Sequence, residues 1–302
     1  MSAWEPGPVY AGNFPDPFVL KAPDGADARF YAYATNGELG NVQVLASDDL
    51  RSWREVGDGM PELAAWVEPG RTWAPEVLLV PDGRFALYYT ARQRSVGRQA
   101  IGVAVASSPE GPFVDSSGSP LISQPEEGGS IDASPFRDED GTTYLLWKND
   151  GNAVGLPTWI YLQRLAPGDP TSLTGEPVRL LRNDQPWEGP LVEGPFLWRR
   201  DDRYYLFYSG NMFDRAAYGE GYAVGSGPLG PFVKAAENPI LASRDDVAGP
   251  GHASMVEHAG RTWLAYHGWV PGRVGQPPGR QFWIDEVTWE DDRPVVVPGP
   301  RG

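Results

Sequence analysis

A repeat of 55–61 residues is the feature of this sequence that most restricts the fold it can adopt. Five segments share an alternating pattern rich in aromatic residues, which is typical of β-strands that have a packed face. They begin at residues 29, 84, 143, 204 and 262, so the intervals between them are 55, 59, 61 and 58 residues. A turn with Gly or Asp precedes each of the last four segments, and another short apolar strand precedes each turn.

Several repeats continue with a third and a fourth strand. The fourth strands are expected at Trp53-Arg-Glu-Val, Gly111-Pro-Phe-Val and Gly230-Pro-Phe-Val. Four strands in about 40–60 residues are typical of a β-propeller blade, and four concordant intervals disfavour a β-sandwich. The sequence therefore predicts an all-β fold: a five-bladed β-propeller of four-stranded antiparallel blades around a central channel. We expect one domain over residues 1–302, with blades starting near residues 14, 73, 131, 192 and 250.

Composition excludes several classes of function. The chain has 25 Lys and Arg against 40 Asp and Glu, and this net charge of −15 disfavours nucleic acids and anionic membranes as partners. It has no Cys, so it has no disulfides, zinc–thiolate sites or cysteine nucleophile. We find neither an apolar run of 18 residues nor a signal peptide at the start, which predicts a cytoplasmic protein. A chain whose leader had been removed would look the same.

Acidic residues recur where the inner strands of the predicted blades begin. Asp16, Asp132 and Glu193 occupy three of these five starts, and His252 occupies a fourth. The first strand of each blade lines the channel of a propeller, so these side chains should meet in one pocket. Glycoside hydrolysis needs one carboxyl group to protonate the leaving oxygen and one to activate water. A third carboxylate nearby raises the pKa of the acid. The pattern therefore favours a glycosidase acting on an oligosaccharide.

The motifs Pro15-Asp16-Pro, Ile131-Asp132-Ala-Ser-Pro-Phe and Val192-Glu193-Gly-Pro-Phe resemble those of glycoside hydrolase family 43, whose members are five-bladed propellers. The likeness extends from Asn13 to about Pro294. It implies hydrolysis with inversion of the anomeric configuration. In that reaction Asp16 would be the general base and Glu193 the general acid, and Asp132 would tune the pKa of Glu193 and orient it.

The resemblance also implies roles for residues around the carboxylates. His252 would face a calcium ion at the propeller centre through waters, although a histidine bonded to backbone is an alternative. Arg280 would contact the sugar or the base, and Arg273 is a competing candidate. Trp73 would line the sugar subsite, unless it belongs to the packing between blades. The remaining expected sugar contacts are His267 and Trp187, and Glu76 is expected to face away from the channel.

We therefore expect an inverting, exo-acting hydrolase that releases a terminal pentose, with α-L-arabinofuranosidase as the first choice. Its substrates would be arabino- or arabinoxylo-oligosaccharides. A β-D-xylosidase of the same family is the first alternative. A retaining β-fructosidase is less favoured, because its Asn-Asp-Pro-Asn and Glu-Cys-Pro patterns are absent. A sugar-binding propeller without chemistry would have no use for three carboxylates in one pocket.

Overall fold

Five antiparallel sheets follow one another along the chain in the computed structural model, which describes residues 7–298. Blade one contains β1 (Phe18–Lys21), β2 (Phe30–Ala34), β3 (Gln43–Ser47) and β4 (Arg54–Asp58). Blade two contains β5 (Val67–Leu79), β6 (Phe85–Gln93) and β7 (Arg98–Ala106). Blade three contains β8 (Ser130–Arg137), β9 (Thr143–Asn149), β10 (Trp159–Ala166) and β11 (Asp169–Arg182).

The last two blades have the same up-and-down order. Blade four contains β12 (Val192–Arg200), β13 (Arg203–Gly210), β14 (Gly219–Gly225) and β15 (Val233–Lys234). Blade five contains β16 (Ala248–His258), β17 (Arg261–Trp269), β18 (Arg280–Glu290) and β19 (Arg293–Val297). The helices in the described part of the chain are three 3-10 turns, at Pro125–Glu127, Gly151–Val154 and Pro186–Glu188. The predicted five-bladed β-propeller is confirmed. No helix within residues 7–298 is long and apolar enough to span a membrane.

Blade two departs from the expected four strands. The segment from Gly111 forms one isolated bridge with β7, between Val105 and Val114. Pro112 has no N–H to donate to a ladder. The N–H of Phe113 bonds instead to the carbonyl of Gly59, 2.7 Å away, in the loop after β4. The segment therefore joins blade two to blade one at the place where a fourth strand was expected.

Fully buried tyrosines on the second strands of four blades account for part of the aromatic pattern of the repeated segments. Tyr33, Tyr89, Tyr205 and Tyr266 have no exposed surface, and each hydroxyl donates to a carbonyl or carboxylate oxygen. An aromatic ring supplies much apolar area, and a buried hydroxyl is tolerated when it has an acceptor. These residues are therefore part of the core.

The two ends of the described chain meet at blade five. The N–H groups of Val9 and Tyr10 both bond to the carbonyl of Phe282 on β18, at 2.8 and 3.3 Å. A third bond joins the N–H of Phe14 to the carbonyl of Arg280, at 2.8 Å. The segment before β1 is therefore held against the last blade, which closes the ring and fixes the start of the first inner strand.

Each blade has a left-handed residue at an equivalent place, on its inner strand or just before it. The φ angles of Asp16, Ala74, Asp132, Gly194 and His252 lie between 42° and 57°. In blades two to five this residue lies at a break in the pairing register with the second strand, which is a β-bulge. A bulge redirects side chains relative to the regular pleat. The left-handed residue recurs in all five blades, and the side chains beside it meet at one end of the channel.

Candidate active site

A cavity of about 390 Å³ lies at this end of the channel. Each blade contributes to its wall near the bulge, through the side chains of Asp16, Trp73, Asp132, Glu193 and His252. Strand β18 adds Arg280 to the wall. Loops complete it with Asn152 and Ala153 after β9, Leu191 before β12, and Met212 and Phe213 after β13. The three predicted carboxylates therefore share one cavity.

Asp16 is held as an ionised carboxylate. Its Oδ1 atom accepts a hydrogen bond of 2.6 Å from Nη1 of Arg280, and its Oδ2 atom accepts one of 2.5 Å from the hydroxyl of Thr35. The Nδ1 atom of His252 lies 3.4 Å from Oδ1. Burial alone would raise the pKa of Asp16, but the charges of Arg280 and His252 and the contact with His267 bring it well below its ordinary value.

Glu193 is in the opposite electrostatic situation. Burial and the nearby charge of Asp132 raise its pKa above the ordinary value, although the ammonium group of Lys148 opposes this shift. Its Oε1 atom accepts a hydrogen bond of 2.9 Å from the hydroxyl of Tyr218, and its Oε2 atom lies 3.4 Å from Nζ of Lys148. Two carboxyl groups with pKa values displaced in opposite directions are the arrangement that separates an acid from a base.

Asp132 links blade three to the inner strand of blade four, beside Glu193. Its Oδ2 atom accepts a hydrogen bond of 3.0 Å from the N–H of Gly194, the residue after Glu193. Its own N–H donates to the hydroxyl of Thr90, 3.0 Å away. Burial raises the pKa of Asp132 above its usual value, while the charges of His252 and Lys148 lower it. This carboxyl group therefore fixes the backbone beside Glu193 and adds a like charge near it.

His252 does not form a calcium site with other side chains. Its Nδ1 atom is turned towards Asp16, and its N–H donates to the hydroxyl of Ser209, 2.7 Å away. No three His, Cys, Asp or Glu side chains in residues 7–298 form a group that could hold a metal ion. Calcium prefers six to eight oxygen ligands, and this ring would supply one nitrogen. The residues present therefore do not fit a calcium ion without a nearly complete shell of water, and calcium remains a prediction.

Arg280 and Trp73 both lie on the cavity wall. Arg280 combines its ion pair with Asp16 and a position over the ring of Phe213, 4.6 Å from the ring centroid. Arg273, the competing candidate, is exposed in the loop before β18. Phe213 is 44% exposed, so the rim of the cavity presents an aromatic surface of the kind on which sugar rings stack.

Two predicted sugar contacts lie elsewhere. His267 is fully buried behind Asp16, where its Nδ1 atom accepts the N–H of Asp16 at 3.2 Å and its ring stacks on Tyr218. Burial lowers the pKa of His267 to about 3, so the ring is neutral. Trp187 packs on Tyr208 in the core of blade four and is not among the residues that line the cavity. Their positions do not support the sugar contacts expected from the sequence.

The expectation for Glu76 also differs from what the structure shows. Glu76 is buried on β5 beside Ser134 of the neighbouring inner strand. Burial raises its pKa well above the usual value, and Asp132 adds to this effect. The side chain does not face away from the channel, because the bulge at Ala74 shifts the alternation of the residues that follow it.

Three residues of the site were missed in the sequence. Thr35 bonds to Asp16, whereas Lys148 and Tyr218 contact Glu193. Thr35 and Lys148 occupy equivalent places in the repeat, at the end of the second strand. Each lies opposite the residue that precedes the left-handed residue of its own blade. An alignment of second-strand ends would have identified both. Tyr218 lies in a loop outside the repeat, so its sequence position carries no comparable signal.

Comparisons with known proteins agree with this geometry. The family model of the Glycosyl hydrolases family 43 matches residues 6–294. The chain is 26% identical to an "Extracellular endo-alpha-(1->5)-L-arabinanase" of Thermotoga petrophila, with 95% of this chain and 71% of that protein covered. It is 28% identical to a "Beta-xylosidase" of Bacillus subtilis, with 98% and 57% covered.

The solved structures are consistent with the same assignment. A "thermostable family-43 glycoside hydrolase" superimposes with a TM-score of 0.85 and 31% identity, and both chains are covered completely. An "Endo-1,4-beta-xylanase" from Bacteroides thetaiotaomicron superimposes with a TM-score of 0.81 and 29% identity, with 97% of each chain covered. The named activities differ among these relatives, but the family does not. This chain belongs to family 43 of the glycosyl hydrolases and is a glycosidase.

Proposed function

We propose that the chain is an inverting, exo-acting α-L-arabinofuranosidase that releases terminal arabinose from arabino- or arabinoxylo-oligosaccharides. One observation carries the chemistry. A carboxylate kept ionised, Asp16, and a carboxyl group with a raised pKa, Glu193, line one cavity of about 390 Å³. The opposite directions of the two pKa shifts suit Asp16 to accept a proton and Glu193 to donate one.

The proposed reaction is a single displacement. Glu193 donates its proton to the glycosidic oxygen, and the bond between that oxygen and the anomeric carbon breaks. Asp16 accepts a proton from a water molecule that attacks the anomeric carbon from the opposite face. The products are a free pentose of inverted configuration and a shortened oligosaccharide with a new hydroxyl group. Glu193 ends ionised and Asp16 ends protonated, so the protons balance and solvent exchange restores both groups.

The choice of exo action rests on the cavity wall, and the choice of arabinose rests on the relatives. Loops after β9 and β13 raise the wall on two sides, through Asn152 and Ala153 on one loop and Met212 and Phe213 on the other. A pocket with raised walls accommodates the end of an oligosaccharide better than its middle. One relative is named as an endo-acting enzyme that cleaves arabinan, and this favours arabinose as the sugar in the pocket. A β-D-xylosidase is the second candidate, because another relative of similar identity has that name.

The test is the product profile on linear arabino-oligosaccharides and on xylobiose, followed from the first minutes by chromatography. We expect arabinose as the only sugar released early. The rest of each substrate molecule should remain as an oligosaccharide that is shorter by one residue. Glu193→Gln serves as the inactive control. Early release of longer oligosaccharides would show an endo-acting enzyme. Release of xylose from xylobiose without release of arabinose would replace the proposal by its second candidate.

A further inference from the structure

Four of the five blades share an interaction at the end of the second strand. There a polar side chain accepts a hydrogen bond from the N–H of the left-handed residue of the next blade. The donor–acceptor pairs are Ala74 to Thr35, Asp132 to Thr90, His252 to Ser209 and Asp16 to His267, at 2.7–3.2 Å. Each bond ties one blade to the next beside the cavity.

Blade three breaks this pattern with Lys148. In the strand register Lys148 lies opposite Ile131, as Thr90 lies opposite Trp73 and Ser209 lies opposite Glu193. A lysine side chain cannot accept a hydrogen bond from an N–H. The N–H of Gly194, the left-handed residue of blade four, bonds instead to Oδ2 of Asp132. Lys148 is therefore not the residue that ties blade three to blade four.

The side chain of Lys148 reaches the proposed acid instead. Its Nζ atom lies 3.4 Å from Oε2 of Glu193 and 3.8 Å from Oδ1 of Asp150, and the side chain is fully buried. Burying an ammonium group costs free energy unless anions compensate it. A threonine or serine at this place would avoid that cost, as in the neighbouring blades. The position of the cation therefore suggests a use in the reaction rather than in folding.

Other charged and titratable groups also surround Glu193. Asp132 approaches from β8, His252 from β16 and Glu220 from β14, and the hydroxyl of Tyr218 bonds to Oε1. Lys148 is the cation nearest to Oε2 among the described contacts, and Asp150 is its second anionic partner. A change at Lys148 or Asp150 alters the charge at Glu193 while leaving Asp132, His252 and Tyr218 in place.

We propose that Lys148 is a positioning residue for proton transfer, which stabilises the Glu193 carboxylate formed when the proton moves to the glycosidic oxygen. Asp150 shares the charge of Lys148, so that Glu193 can still hold its proton before the reaction. Lys148 transfers no proton in this step, and the bonds that form and break are those of the displacement described above. The inference rests on the proposed role of Glu193 as the general acid.

The test compares Lys148→Met, Lys148→Arg and Asp150→Asn in pH profiles of kcat/KM. Lys148→Met removes a charge that lowers the pKa of Glu193, so the alkaline limb is expected to move to higher pH by about one unit. Asp150→Asn removes the counter-charge of Lys148, so the limb is expected to move to lower pH. Lys148→Arg keeps the charge, so its limb should lie close to that of the native enzyme.

The leaving group gives a second readout. Lys148→Met should lower kcat about tenfold or more on arabinobiose, whose sugar leaving group needs the proton, and less on a dinitrophenyl arabinofuranoside. KM should change little. The exposed Lys21→Met is the matched control and should leave both profiles unchanged.

Opposite shifts in Lys148→Met and Asp150→Asn support the inference. Equal losses on both substrates with no shift in either variant overturn it and indicate a structural lysine. If Lys148→Met does not fold, as judged by circular dichroism, Asp150→Asn decides on its own, and an unshifted limb contradicts the inference. If Glu193→Gln keeps native activity, the proposed acid itself is wrong, which is a distinct result.

Discussion

Replacing Glu193 by glutamine is expected to lower kcat on arabino-oligosaccharides by about 10²–10⁴-fold. The amide fills nearly the same space but has no proton that it can give to the glycosidic oxygen. The loss should shrink strongly on dinitrophenyl arabinofuranoside, because that leaving group departs without protonation. Steady-state rates on the two substrates measure the difference, and thermal unfolding checks that the variant keeps its fold.

Glu139→Gln is the matched control for this substitution. Its side chain is 75% exposed and pairs with Arg199 at the surface, so activity should stay at the native level. A Glu193→Gln enzyme that loses the same factor on both substrates would not be explained by the loss of a general acid. Unchanged activity on oligosaccharides would remove Glu193 from the mechanism.

Asp16→Asn is expected to lower kcat by a similar factor on both substrates. The attacking water needs a base whether or not the leaving group needs an acid, so the quality of the leaving group should not matter. An amide can keep a hydrogen bond to Thr35, but it cannot form the ion pair with Arg280, and the free energy of unfolding should be measured beside the rates.

Rescue by azide distinguishes the loss of the general base in Asp16→Asn from a distortion of the pocket. This anion attacks carbon without a base, so added azide should restore part of the rate of Asp16→Asn on the aryl substrate and yield a glycosyl azide. It should not restore activity on oligosaccharides in Glu193→Gln. The contrary result is that azide has no effect on Asp16→Asn and that the loss of activity in this variant depends on the leaving group, as in Glu193→Gln. That result would show that the roles of acid and base have been assigned to the wrong residues.

The fold could be predicted from the sequence because propeller blades repeat. The intervals between strand starts predict five blades, and the structure has five. Blade two lacks the expected fourth strand, because the segment from Gly111 turns to blade one. The same repeat aligned Asp16, Asp132 and His252, which are all left-handed residues. Glu193 lies one position earlier, before Gly194, and still reaches the same cavity.

Side-chain environments were harder to predict than strand positions. Trp187 was expected at the sugar because it lies near Glu193 in sequence, but its turn places the ring against Tyr208. Lys148 was overlooked because a lysine in a strand is usually exposed. Only the contacts of its ammonium group with Glu193 and Asp150 indicate its proposed role. Phe213 lies on a loop that the repeat does not cover, so its place on the cavity rim depends on tertiary contacts.

The configuration of the first sugar released tests the central claim most directly. Proton NMR on an aryl α-L-arabinofuranoside, recorded before the product mutarotates, distinguishes the two anomers. If Asp16 activates water in a single displacement, β-L-arabinofuranose should appear first and the α-anomer should follow by mutarotation. If α-L-arabinofuranose appears first, the reaction passes through a covalent intermediate, and Asp16 is then a nucleophile rather than a general base.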